Sequence, residues 1–155
     1  MTDSSKSPPF TLRIPIRFSH CDPAGFVFFP RFFEMLQAVC EDWFTEQLGE
    51  NFSEMIIQQR IGQPTAYTEC QFIKPVVLGE NLDLAIILDK FGTSSLHLRF
   101  IGTVDGEIHL VARSVQVVIS LKNGRPVPIP DELRQRLQAY KDSVEAITDI
   151  KPQRR

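Results

Sequence analysis
The residues able to do chemistry concentrate in one stretch, SHCDPAGFVFFPRFFEM, residues 19–35. Near its start a single carboxylate, Asp22, precedes Pro23, and Gly25 follows three residues after Asp22. A carboxylate on such a turn can serve as a general base toward water or as a nucleophile toward an electrophilic carbonyl. Pro23 locks its own φ and stiffens the turn, which helps aim Asp22; Gly25, lacking a side chain, lets a ligand approach the backbone closely. On the residues alone, Asp-Pro is also an ordinary turn initiator, and that structural role competes with the catalytic one. His20, Cys21 and Asp22 do not read as a metal site: adjacent residues rarely aim at one ion, and no second cluster has ligand spacing. A Cys21 nucleophile served by His20 or His97 is disfavoured against a buried, inert thiol, because chain neighbours seldom face each other. His97 and His109 stand singly in strand-like segments and read as hydrogen-bonded structural histidines.

Five phenylalanines fall in the eight residues from Phe26 to Phe33. Phe32 and Phe33 continue into a helical apolar stripe and read as core. Phe26, Phe28 and Phe29 precede the helix, where they can line a pocket for a flat aromatic or apolar group; packing accounts for them equally well. Gln37, one face round the helix, reads first as a solvated or interface glutamine and second as a contact for a polar group on a ligand.

These residues need elements to hold them. Phe10 to Phe18 alternates as a strand, with Pro15 marking an edge position. His20 to Gly25 is a turn. Pro30 to Leu48 reads as the one long helix, with Pro30 in its first turn and Gly49 ending it. Phe29, Phe32, Phe33, Leu36, Val39, Cys40, Trp43 and Phe44 recur at spacings of three and four, the stripe of a core-facing helix. After it the period becomes two. Strands are expected over Thr65 to Ile73, Leu82 to Asp89, Leu96 to Phe100 and Ile108 to Leu121, with a hairpin turn at Asp105-Gly106-Glu107. Pro130 opens a short amphipathic helix with Asp131 and Glu132 in its first turn. One wide apolar helix face and one antiparallel sheet imply an α+β architecture in which the sheet wraps the helix.

The 155 residues suit one domain, and a hydrophobic content of 43% supports a packed core. With a formal net charge of -2 and scattered basic residues, nothing in the composition points to a nucleic-acid binder. Three cysteines without paired spacing read as reduced thiols, which points to the cytoplasm. No apolar run approaches the ~20 residues of a membrane span. Residues 1–9 read as a disordered leader, 10–142 as the folded domain and 143–155 as a tail.

The order of elements, with CDPAG joining the first strand to the long helix, resembles the 4-hydroxybenzoyl-CoA thioesterase family of the hotdog fold. FSHCDPAGFVFFPRFFEM matches that family's signature, and NGRPVPIPDELRQRL resembles the end of its domains. The resemblance covers roughly Phe10 to Tyr140. It implies a hotdog fold, a five-stranded antiparallel sheet around one long helix with a short C-terminal helix. It also implies hydrolysis of an acyl-CoA, with Asp22 as nucleophile or general base and the backbone N–H of Phe29 as oxyanion donor. Gly25, Phe26, Phe28 and Gln37 fall beside the acyl group, and Lys90, Thr93 and Ser94 become candidates for the CoA nucleotide, with Lys122 and Arg125 as weaker ones. Only Lys90 is basic in that loop, so a clamp of several arginines is absent there. The acyl group is expected to be aromatic, such as hydroxybenzoyl, with short or branched aliphatic chains second. No cofactor or metal is implied, since CoA belongs to the substrate. The family forms homodimers and homotetramers with sites at the subunit interface, and a homotetramer is expected here. Two other readings stand beside this one. A hotdog hydratase needs a His paired with a carboxylate, and the long helix holds no His. A non-catalytic acyl-CoA-binding module would not need the intact Asp-Pro-Ala-Gly turn.

Overall fold
The computed structural model describes residues 6–144. Its elements in chain order are β1 (Thr11–Pro15), α1 (Pro30–Asp42), α2 (Phe52–Ile57), β2 (Ile61–Gly62), β3 (Thr65–Phe72), β4 (Asn81–Phe91), β5 (Ser95–Val104), β6 (Glu107–Val117), β7 (Ile119–Ser120) and α3 (Asp131–Ser143). The main sheet runs β1-β4-β5-β6-β3 with every neighbour antiparallel, and β2 pairs with β7 as a separate ribbon. This is the hotdog arrangement that the resemblance implies.

Period-two patterning sets which face meets the helix. Leu82, Leu84, Ile86 and Leu88 of β4 are buried, as are Leu96, Leu98 and Phe100 of β5 and Leu110 and Ala112 of β6. From the other side α1 contributes Phe32, Met35, Leu36, Val39 and Cys40. The β5–β6 hairpin turns through Asp105 and Gly106, with φ of 50° and 79°, the left-handed pair that a two-residue turn of this hand requires. β1 is an edge strand, as Pro15 requires, and ends opposite Asn81. β3 is the other edge, and its residues are exposed except for a half-buried Cys70.

Several boundaries differ from the expected ones. β1 ends at Pro15, and a single helical turn at Phe18–His20 follows. The long helix becomes a wide π turn over Trp43–Gln47, where the Leu48 N–H reaches back to Trp43 O at 3.0 Å. Trp43 and Phe44 are both fully buried there, although adjacent helical residues point about 100° apart. Gly49, at φ 70°, ends the run as expected. The last long strand breaks at Val118, whose N–H goes to Ser94 O at 2.7 Å. α2 had no counterpart in the pattern reading. It is one short run capped by Asn51, whose Oδ1 accepts the Glu54 N–H at 3.1 Å. Among the described residues no helix is long and apolar enough to cross a membrane.

Most of the expected leader and tail, 1–5 and 145–155, lies outside the described residues. At their described margins Ser7 N–H donates to Ser143 O at 2.8 Å and Lys6 Nζ donates to Asp142 O at 2.7 Å.

The Tyr140 hydroxyl joins α3 to the sheet. It donates to Ile86 O at 2.6 Å and accepts the Phe10 N–H at 3.0 Å. Tyr140→Phe would leave both backbone groups unpaired in the interior. We expect a loss of about 1–3 kcal/mol, read as a lower urea midpoint with an unchanged slope.

Candidate active site
Asp22 lies on a small hairpin built from the chain after β1. Cys21 bridges Val27, Asp22 N–H donates to Phe26 O at 2.9 Å, and Phe28 N–H donates to His20 O at 2.9 Å. Gly25 closes the tip at φ 83°, a conformation that favours glycine. Its carbonyl accepts the Leu78 N–H at 3.0 Å, and Val27 N–H donates to Val76 O at 2.9 Å. The hairpin is therefore fastened to the segment 76–78 before β4. His109 in turn holds the front of that segment, donating from Nδ1 to Pro75 O at 3.0 Å. This is the hydrogen-bonded structural histidine expected from its isolated strand position.

One carboxylate oxygen of Asp22 serves the turn, with Oδ1 accepting the Ala24 N–H at 2.9 Å. Oδ2 has no protein donor among the described residues. The His20 ring is tied back to the chain, Nδ1 accepting the Arg17 N–H at 2.9 Å. No group of three His, Cys, Asp or Glu side chains among the described residues is arranged to hold a metal.

The start of α1 supplies a donor. Phe29 is its N-cap residue and Pro30 its first helical residue, without an N–H. Arg31 N–H donates to Phe28 O and Phe32 N–H to Phe29 O. The Phe29 N–H alone in this turn has no protein acceptor among the described residues. It lies at the positive end of the helix dipole, where developing negative charge is favoured.

Two hollows follow α1. The larger, about 670 Å³, opens beside the hairpin and is lined by Phe26, Phe29, Phe32, Phe72 and Val76. Phe26 and Phe29 line this hollow, whereas Phe28 stacks at a tilt on Phe29, with ring centroids 5.8 Å apart, outside the lining. The smaller, about 240 Å³, lies farther along the helix, between Phe33, Leu36 and Gln37 of α1 and Thr68, Ser114 and Gln116 of β3 and β6. Gln37 is on this cavity's wall. Pattern reading missed Ser114 and Gln116. The signal was present, since they share a face of β6 with the core residues Leu110 and Ala112.

Lys90, Thr93 and Ser94 are not brought to Asp22. The hairpin sits at the Asn81 end of β4 and these three at the Phe91 end, about 30 Å away by strand rise. Their turn is occupied by α3, with Arg134 donating to Gly92 O at 2.8 Å and Thr93 O at 3.1 Å.

Cys40 sits on the wall of the smaller cavity with its thiol pushed up to about 12 by burial, and burial raises Cys70 to about 11. Both stay protonated at neutral pH, and the thiolate is the reactive form. Iodoacetamide at pH 8 is therefore expected to leave Cys40 unmodified in the folded protein and to label it after unfolding, as read by peptide mass spectrometry.

Comparison with known proteins matches residues 16–137 to the family model of the thioesterase-like superfamily. A 1,4-dihydroxy-2-naphthoyl-CoA hydrolase of Nostoc punctiforme is 23% identical over 139 residues, covering 88% of this chain and 91% of that protein. Among solved structures, a thioesterase of Thermus thermophilus complexed with coenzyme A and zinc is 25% identical, with a TM-score of 0.72 over 85% of this chain and 93% of that one. The gentisyl-coenzyme A thioesterase BH1999 is 23% identical, with a TM-score of 0.76 over 83% of this chain and 99% of that one.

Proposed function
Because this chain belongs to the thioesterase-like superfamily, we propose that it hydrolyses acyl-CoA thioesters to the free acid and CoA. The observation that carries the reading is the unpartnered Phe29 N–H at the start of α1, on the same hairpin-to-helix connection as Asp22. A thioester carbonyl needs a carboxylate within reach of its carbon and a donor where the oxyanion develops. In one route Asp22 adds to the carbonyl, the C–S bond breaks, the CoA thiolate leaves, and water hydrolyses the acyl-aspartyl anhydride. In the other Asp22 takes a proton from water as its oxygen adds, and the thiolate leaves from the tetrahedral intermediate. Neither route calls for a cofactor.

An aromatic acyl group, as in the 4-hydroxybenzoyl-CoA branch, is the favoured substrate. The Phe26, Phe29, Phe32 and Phe72 rings beside the hairpin support it, and two of the similar proteins, the 1,4-dihydroxy-2-naphthoyl-CoA hydrolase and the gentisyl-coenzyme A thioesterase, are named for hydroxylated aromatic acyl-CoAs. Short or branched aliphatic chains come second. Gly25 leaves the hairpin tip open to substrate. Lys90, Thr93 and Ser94 can contact CoA only from a second copy, given their distance from Asp22 within one chain. A second copy also suits the open β3 edge with its exposed Tyr67 and Phe72. Edge-to-edge pairing across a two-fold would continue the sheet and cover that apolar surface, giving a homodimer as the minimal unit and a homotetramer as the full assembly. The three free thiols suit the cytoplasm.

Thiol release from a panel of aromatic and aliphatic acyl-CoAs tests the reaction. Wild type should release CoA, and Asp22→Asn, folded by circular dichroism, should lose about 10²–10⁴-fold in kcat. Equal rates would reduce Asp22 to a turn residue. Light scattering tests the assembly: a monomer at assay concentration would remove the interface-site reading.

A further inference from the structure
Gln116 is a buried amide without a full set of partners. Period-two alternation in β6 turns Leu110, Ala112, Ser114 and Gln116 toward α1, and Gln116 is 2% exposed. Its Nε2 donates weakly to Cys40 Sγ at 3.5 Å, and its Oε1 has no partner among the described residues. An unpaired buried amide oxygen is costly, so one that persists calls for a partner, either an ordered water or a bound group.

The oxygen belongs to a side chain on the wall of the 240 Å³ cavity, which also has Phe33, Leu36 and Phe100 on its walls. A dry cavity of about 150 Å³ seats benzene. This one has room for a substituted single ring or a compact fused pair. No charged side chain lines it, which disfavours a carboxylate or an ammonium. The hydroxyls of Thr68 and Ser114 already pair with each other at 3.0 Å, and Gln37 and Thr65 are exposed to solvent, which leaves the Gln116 amide as the buried polar group in need of a partner. An amide can turn either its oxygen or its NH2 into the cavity, with the Cys40 thiol able to donate or accept behind it. A hydroxyl, both donor and acceptor, complements either orientation.

Position along the helix agrees. Phe33 and Gln37 lie one and two turns beyond Phe29, about 6 and 12 Å along the axis, and helical side chains lean back toward the helix start. An acyl group held by its carbonyl at Phe29 needs at least one ring to enter the cavity, and an acetyl group falls short.

We propose that Gln116 is a specificity-determining residue whose buried side-chain amide pairs with a hydroxyl on the ring of an aromatic acyl group. The proposal rests on the thioesterase reading above and adds to it the residue that reads the ring.

The test compares kcat/KM for matched pairs: benzoyl-CoA with 3- and 4-hydroxybenzoyl-CoA, and 2-naphthoyl-CoA with 1-hydroxy-2-naphthoyl-CoA. Wild type should favour the hydroxylated member of at least one pair by about 10-fold or more, since a site built to bond a hydroxyl rejects the analogue lacking it. In Gln116→Leu that ratio should collapse toward one. Should Gln116→Leu fail to fold, Gln116→Met, unbranched and of similar length, carries the same comparison. No preference in any pair for wild type, or an unchanged preference in the folded variant, overturns the proposal. If wild type hydrolyses no acyl-CoA, the thioesterase reading falls, and binding then decides the role of Gln116. 4-Methylphenol and toluene titrated into 15N-labelled wild type should separate, with the Gln116 side-chain amide resonances shifting for the phenol and not for toluene. An equal response to both, or none, would leave Gln116 solvated by water and the proposal overturned.

Discussion
The packing around Trp43 is the constraint on which the rest depends. Its indole is fully buried, set edge-on to Phe44 within its own turn and to Tyr140 of α3, with ring centroids 5.3 and 5.2 Å away. Tyr140 carries that contact on to Ile86 in β4 and to Phe10 before β1. One aromatic cluster thus fixes the far end of α1 against α3, a central strand and an edge strand. A densely packed interior does not deform continuously, so holding one end of a short helix largely fixes its direction and where its other end emerges. That other end is Phe29-Pro30. The widened turn that buries Trp43 and Phe44 together belongs to the same solution, a departure from regular geometry at the point where two large adjacent rings must enter one core.

The Asp22 end is built from weaker parts. The Asp22 hairpin has few backbone bonds of its own and is fastened to residues 76–78, and His109 holds the preceding residues Ile73, Lys74 and Pro75. Pro30 then has a double effect. It starts the helix at a favourable φ, and since it has no N–H of its own, the Phe29 N–H is the donor of this turn without an acceptor among the described residues. A donor left free at a helix start stabilises charge that is not present in the ground state, which is the requirement of an oxyanion site.

Much of this was legible in the residues. Alternation in β4, β5 and β6, the apolar stripe of α1, the Asp105-Gly106 turn and the Pro15 edge each follow from local rules that tertiary packing did not override. The pieces that escaped are those where local rules are weak. α2 is only six residues, and its Asn51 cap with Glu54 three positions on was its sole signal. The β6–β7 break at Val118 depends on Ser94, a residue 24 positions earlier, and no local pattern announces such a bond. Lys90, Thr93 and Ser94 looked like ligand contacts because of their types and their turn, but distance along a strand is set by the register of the sheet. Gln116 was hidden by its neighbours. The segment reads as one long β-branched strand, and alternation from Leu110 and Ala112 is what puts Ser114 and Gln116 on the core face.

That placement separates two tasks that the residues alone put together in one stretch of phenylalanines. The rings at Phe26 and Phe29 surround an open hollow, and Phe29 remains 58% exposed, so they can bind flat groups but discriminate poorly among them. Apolar contact varies smoothly with size, and a pocket of that kind tells one ring from another by only a few kcal/mol at most. A buried amide behaves differently, since its cost when unpaired is steep and depends on a single atom of the ligand. On the proposed reading the chemistry would sit at the exposed turn, while selection among acyl groups would be made one or two helical turns away, where the Gln116 amide is buried and costly to leave unpaired. α1 connects the two. Its first turn offers the Phe29 N–H and its next turns wall the cavity with Phe33, Leu36 and Cys40. On that reading, a ring seated against Gln116 would be referenced to the same element that carries the Phe29 N–H, so selection at one end of the helix would be geometrically tied to reaction at the other.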